Sequence, residues 1–115
     1  MAIQQRDRAV TIIPSYISSA AQSTNFSTNP YDISQYRIYA MQLIITSASG
    51  LDVAVEIEES LDNTNWAVVP GSAMSFSANG TYIFNTIATG STYARLTFTF
   101  TSGSAKFSVL AFSKI

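Results

Sequence analysis

From Leu51 onward, apolar and polar residues alternate. Leu51, Val53, Val55 and Ile57 fall on one parity, Asp52, Glu56 and Glu58 on the other. A period of two marks an extended strand with one buried face and one wet face. The rhythm returns at 93–100, where Ala94, Leu96, Phe98 and Phe100 oppose Arg95, Thr97 and Thr99. Two such strands leave their oily faces uncovered, so the chain has to supply more strands and a second layer. Residues 35–46 form the longest apolar stretch, and Tyr36, Ile38, Tyr39 and Ile45 favour strand over helix there. The small polar residues at 46–50, ending in Gly50, then read as a turn that pairs this strand with the one beginning at Leu51.

The remaining pattern predicts shorter elements. Residues 9–13 are a β-branched run stopped by Pro14, hence an edge strand or arm. Residues 18–31 are rich in Ser, Ala, Asn and Thr and read as a long loop, of the kind used in binding or ordered by a partner. A short strand at 66–69 closes on Pro70 and Gly71, a weak one covers 73–77, Asn79 and Gly80 make a tight turn, and 81–87 is a further strand. A turn at 101–104 leads into a final strand at 106–112. No segment reads as helix. The expected fold is an all-β antiparallel β-sandwich, jelly-roll-like, with an extended N-terminal arm or loop. Its organisation is an arm, edge strand and long loop over 1–34 and a sandwich core over 35–115, in a single domain.

Composition sharpens this picture in one respect. Only 11% of the 115 residues are charged, against roughly a quarter in ordinary soluble domains. A surface of Ser, Thr, Asn and Gln suits a protein held against neighbours, so a homo-oligomer or larger assembly is expected. The net charge of −1 and the scattered Arg6, Arg8, Arg37, Arg95, Lys106 and Lys114 give no basic field for nucleic acid. No apolar run approaches the roughly 20 residues of a spanning helix, and the first residues lack the apolar core of a signal peptide. No membrane partner is expected, and synthesis in the cytoplasm is.

The chemistry available is narrow. Histidine and cysteine are both absent, which removes the usual general base, thiolate nucleophiles and cysteine-type zinc sites. Glu56 and Glu58 share a strand face and could span the distance of a glycosidase pair, as any acidic strand could. A solvated outer face, ion-paired to Arg95 or Lys106, is the favoured reading. Asp62, Asn63, Thr64 and Asn65 concentrate oxygen ligands, yet lack the spaced acids of a calcium loop and read as an Asx-turn. Trp66, the single tryptophan, could stack on a sugar or anchor an interface, but a strand Trp just after a turn is more often core or a half-buried cap, and core is the favoured reading. Tyr16, Tyr31, Tyr36 and Trp66 are the candidate partner-binding residues. No catalytic residue, cofactor or metal is expected.

The run Val55, Glu56, Ile57, Glu58, Glu59, Ser60, Leu61, Asp62, Asn63, Thr64, Asn65, Trp66, followed by Tyr93, Ala94, Arg95 and Leu96, the Ser102, Gly103, Ser104 turn and a closing strand ending at Lys114, resembles small virion proteins of tailed bacteriophages. The likeness spans about half of the chain. It implies a jelly-roll-like structural protein of the particle, such as a capsid cement or decoration protein, with the major capsid protein or other virion proteins as partners and a place on a virion assembled in the host cytoplasm. The competing expectation is a receptor- or carbohydrate-binding module of a tail or fibre. A third is a small hydrolase using Asp and Glu.

Overall fold

The computed structural model describes residues 10–17, 20–34, 38–87 and 91–114. Its elements are β1 (Val10–Ile17), β2 (Phe26–Ser27), β3 (Tyr31–Asp32), β4 (Ile38–Ser60), β5 (Ala67–Val68), β6 (Met74–Phe76), β7 (Gly80–Ile87) and β8 (Tyr93–Lys114). All their pairings are antiparallel. Two strands dominate. β4 has 23 residues and β8 has 22, paired from Ile38 opposite Lys114 to Ser60 opposite Tyr93. At about 3.3 Å per residue a straight ribbon of that length would run roughly 75 Å, whereas the longest dimension of the molecule is 53 Å. The ribbon therefore turns back on itself.

It turns where the β4–β8 register is irregular, between Thr46 and Val53. Ile45 pairs with Phe107 and Val53 with Phe100, so β4 takes eight steps, from 45 to 53, where β8 takes seven, from 100 to 107. A one-residue offset of this kind is a bulge, and it exchanges the faces of one strand relative to the other. Inward residues stay odd along β4, from Tyr39, Met41, Leu43 and Ile45 to Leu51, Val53, Val55 and Ile57. Along β8 they switch from even (Ala94, Leu96, Phe98) to odd (Ala105, Phe107, Val109, Ala111). Ser47, Gly50 and Gly103 adopt positive φ of 56°, 58° and 78° at the bend. The Ser102 hydroxyl donates to the Gly50 carbonyl at 3.0 Å, and the Ala48 amide donates to the Asn79 side-chain oxygen at 2.9 Å.

Two expectations from sequence are corrected here. The stretches at 46–50 and 101–104 are not hairpin turns. They face each other across the ladder and each strand continues through its own. Positive-φ residues serve a bulge as well as a turn, so local chemistry does not separate the two. Consequently the strand before Gly50 pairs with β7 and the second half of β8, and not with the segment that follows it.

Bending divides the pairings into two layers. The first holds β7, the first half of β4, the second half of β8 and β1; the second holds β5 and β6, the second half of β4, the first half of β8, and β2 with β3. The result is an antiparallel β-sandwich of jelly-roll type. Phe107 of the first layer meets Phe98 of the second at 4.8 Å between ring centroids, Tyr39 meets Tyr31 edge-on at 6.1 Å, and Tyr82 lies 4.2 Å from Phe76. Such pairs add about 0.5–1.5 kcal/mol each beyond the area they bury.

β1 continues past Pro14 to Ile17, with a register irregularity between Pro14 and Tyr16. It pairs with β8 alone among the described strands, an edge position where a missing amide is tolerated. The described part of the segment expected as a loop, from Ala20 to Tyr31, is stitched along β8 instead. Gln22 exchanges backbone bonds with Ala105 at 2.8 and 3.1 Å, and Thr28 with Leu96 through its amide at 2.9 Å and its hydroxyl at 3.0 Å. Phe26 stacks on Phe98 with centroids 4.3 Å apart.

The bend predicts an ordering of two substitutions. A Cβ on Gly50 meets nothing within 4 Å, whereas one on Gly103 collides with the Gly50 carbonyl. Gly50→Ala is expected to cost about 1–2 kcal/mol from backbone strain alone. Gly103→Ala adds overpacking and is expected to cost roughly 2–5 kcal/mol in total. Urea denaturation of both variants checks the order; equal losses would contradict it.

Candidate interaction surfaces

The two layers have unlike outer faces. The four strands of the first contain no acid and only Lys106 and Lys114 as bases. Its outward side chains include Ala40, Gln42 and Ile44 from β4, Ser108 and Leu110 from β8, and Thr81 and Ile83 from β7, with Ile83 56% exposed. Ile83, Gln42 and Leu110 stand abreast in one row of the ladder. A solvated sandwich face normally alternates with charge; this one exposes Lys106 as the one charge among its described side chains and is otherwise neutral or apolar.

The second layer carries Asp32, Asp52, Glu56, Glu58 and Glu59 against Arg95. Arg95 bonds Glu58 at 2.8 Å, and Thr97 donates to the same carboxylate oxygen at 2.7 Å. The Arg95 guanidinium also lies 4.1 Å from the Trp66 ring centroid, a cation–π contact worth about 0.5–1 kcal/mol at a partly exposed site. The pairing of Glu58 with Arg95 is the outer-face arrangement expected from sequence. It ties up one of the two carboxylates that a glycosidase pair would require.

The third surface is at the end of the sandwich opposite the bend. Here the ribbon's two ends come together, and the Tyr39 hydroxyl of the first layer donates to Glu59 of the second. Ser91 donates to the other oxygen of Glu59 at 3.0 Å. Beside this bridge opens a groove of about 450 Å³ lined by Leu61, Val68, Pro70, Glu59, Asp62 and Ser91 among others, with no Lys or Arg among the described residues that line it. Leu61 is 72% exposed and Val68 43%. Asp62 organises the rim. Its carboxylate accepts the amides of Asn65 (2.8 Å) and Thr64 (2.9 Å), the Asn65 side chain (2.8 Å) and the Ser60 hydroxyl (3.0 Å), while Asn63 takes a positive φ of 60°. These bonds, the Asn65 amide foremost, hold the Asp62 carboxyl far below its usual value. Its oxygens face donors, which is turn chemistry and unsuited to a cation. Among the described residues no cluster of three or more acidic side chains could hold a metal ion.

The four residues singled out from sequence are not gathered into one site. Tyr16 lies in β1 opposite Val109 in the first layer. Tyr31 is buried against Tyr39 between the layers. Trp66 is half-buried on the outside of the second layer, and Tyr36 lies outside the described residues. Sequence reasoning did not single out Ile44, Ile83 and Leu110. The available signal was that residues 38–46 are apolar on both parities, the pattern of a strand covered on both faces. Glu59 and Leu61 carried no such signal, because their roles depend on Tyr39 and on the rim around Asp62.

No protein-family model matches the chain, and no curated protein sequence matches it. Solved structures match its fold. T=1 particles derived from infectious bursal virus match with a TM-score of 0.60 at 14% identity, covering 99% of this chain and 33% of theirs. The SPBc2 prophage-derived protein YomS matches with a TM-score of 0.59 at 9% identity, covering 90% of this chain and 93% of its own. The tobacco streak virus coat protein gives 0.50 at 10% identity, covering 98% and 91%. The chain thus spans about a third of the bursal virus chain. At these identities the likeness establishes the fold.

The Asp62 turn gives a prediction with a definite sign. A carboxyl held below its unfolded value of 3.8 contributes fully above that pH and loses its contribution as pH falls below it. Asp62→Ala should therefore be less stable than wild type by the same margin at about pH 7 and pH 5, and by a smaller margin near pH 3. Urea denaturation at the three values measures this; a margin unchanged near pH 3 would contradict the assignment.

Proposed function

We propose that this protein is a non-enzymatic structural component of a virus particle, a cement or decoration protein that binds capsid subunits through the sparsely charged outer face of its first layer. The observation that carries the proposal is the contrast between the two outer faces: one polar and acidic, the other free of acids, lined by Ile44, Ile83 and Leu110, with Lys106 as its one described charge. Seating the outer face of the first layer on a shell buries apolar area and leaves Lys106, toward the bend, as the one described charge to be accommodated. The polar face then meets solvent. Fold likeness to a coat protein, to virus-derived particles and to a prophage protein supports a place in a virion, and a chain without histidine or cysteine suits mechanical work. Each copy bound across neighbouring shell subunits favours the assembled state by mass action, because it binds the intact shell and not its separated parts.

Shells lacking the protein, titrated with it, are expected to bind it and to dissociate at a higher temperature. Ile83→Glu and Leu110→Glu, each with an unchanged circular dichroism spectrum, should weaken binding by about tenfold or more. A wild-type protein that neither binds nor stabilises the shell, or folded variants that bind undiminished, would refute the proposal.

A further inference from the structure

The groove at the open end of the sandwich is lined by apolar and acidic side chains, with no cation among the described residues that line it. Leu61, Val68 and Pro70 line it together with Glu59, which shares the parity of the inward residues of β4. An ionised carboxylate offers about four lone-pair sites, of which Tyr39 and Ser91 take two at Glu59, so a charged donor can still be accepted. The chemistry that fits is an extended segment bearing an apolar side chain and a basic one.

The sequence contains such a segment at the right place. Residues 1–9 carry Ile3, Arg6 and Arg8, two of the six cations of the chain, while six of its seven acids lie in the second layer or on the groove rim. Val10 pairs with Lys114, the last residue of β8, and Lys114 pairs with Ile38, next to the Tyr39 that bonds Glu59. The backbone at Val10 therefore points out of the same end at which the groove opens. Nine residues reach up to about 30 Å when extended, comparable with the 30 and 23 Å cross-section of the molecule.

We infer that the groove of one copy receives residues 1–9 of a second copy, with Ile3 against Leu61 and Val68 and an arginine on Glu59. β1 borders β8 in the first layer and the groove strand β5 borders β4 in the second, so the two stand at opposite corners of the open end. A copy's own segment would have to double back across the end of its sandwich to enter its own groove. A neighbour's groove is met in the direction in which the chain already points. This contact forms between free copies and needs no shell, so it stands or falls separately from capsid binding.

The absence of cysteine makes the test clean. Ile3→Cys and Leu61→Cys are prepared as two separate full-length variants, mixed and mildly oxidised, so that a disulfide joining the two positions can form only between copies. A heterodimer linking the two positions is expected, identified by peptide mass spectrometry. Its yield should exceed that of a control mixture of Ile3→Cys with Thr99→Cys, exposed near the bend. Adding Glu59→Lys to the Leu61→Cys variant should lower the yield by about fivefold or more. No yield above the control, no effect of Glu59→Lys, or a double Ile3→Cys, Leu61→Cys variant that closes only within one chain would overturn the inference.

Discussion

The structure depends on one geometric conflict: two strands of 23 and 22 residues are paired along their length, and no molecule of this size can house them straight. The conflict is resolved at one bend, where β4 uses one residue more than β8. That extra residue lets both strands turn toward the same side and still point their apolar residues inward beyond the turn. Without the offset, β8 would present Lys106, Ser108 and Leu110 to the core in place of Phe107 and Val109. The close approach of Gly103 to the Gly50 carbonyl is the local expression of the same requirement, because a side chain on Gly103 would meet the backbone of Ser49 and Gly50.

The bend also sorts the chain's few charges. Each half of the ribbon becomes the centre of one layer, so the outward residues of 38–46 and 105–111 form one surface and those of 52–58 and 95–99 form the other. One collects Asp52, Glu56 and Glu58, the last held by Arg95 and Thr97; the other carries Lys106 as its one described charge. A low overall charge, which in the bare sequence is a diffuse hint of assembly, thereby becomes a located surface. Of the other acids, Glu59 and Asp62 gather at the end where the ribbon's two ends meet, beside a groove with no cation among the described residues that line it. Assembly surfaces on this protein are therefore consequences of where the ribbon turns.

Much of the fold was legible in the alternation of residues 51–58 and 93–100, and the all-strand, two-layer reading followed from it. The continuity of β4 and β8 was not. Small polar residues around Gly50 and Gly103 meet the requirements of a hairpin turn as well as those of a bulge, and only their opposition across the ladder separates the two. Phe26 and Thr28 were lost inside a polar segment, since nothing local announces that Phe98 and Leu96, some seventy residues on, will take them up. For the surfaces, the Glu58 pairing with Arg95 was readable from strand faces. The contact of Arg95 with Trp66 and the bond from Tyr39 to Glu59 were not, because each joins elements brought together by the bend or by the turn around Asp62.

The measurement that tests this account most directly is a nuclear Overhauser spectrum of the protein in solution, read for ring protons. A turned ribbon predicts strong cross-peaks between Phe98 and Phe107 and between Tyr31 and Tyr39, pairs that lie on opposite layers at 4.8 and 6.1 Å between centroids. Ladder contacts of Ile45 with Phe107 and of Val53 with Phe100 should be present at the same time. If the ladder contacts appear and the ring contacts between layers do not, the ribbon is open and the two-faced sandwich described above does not exist.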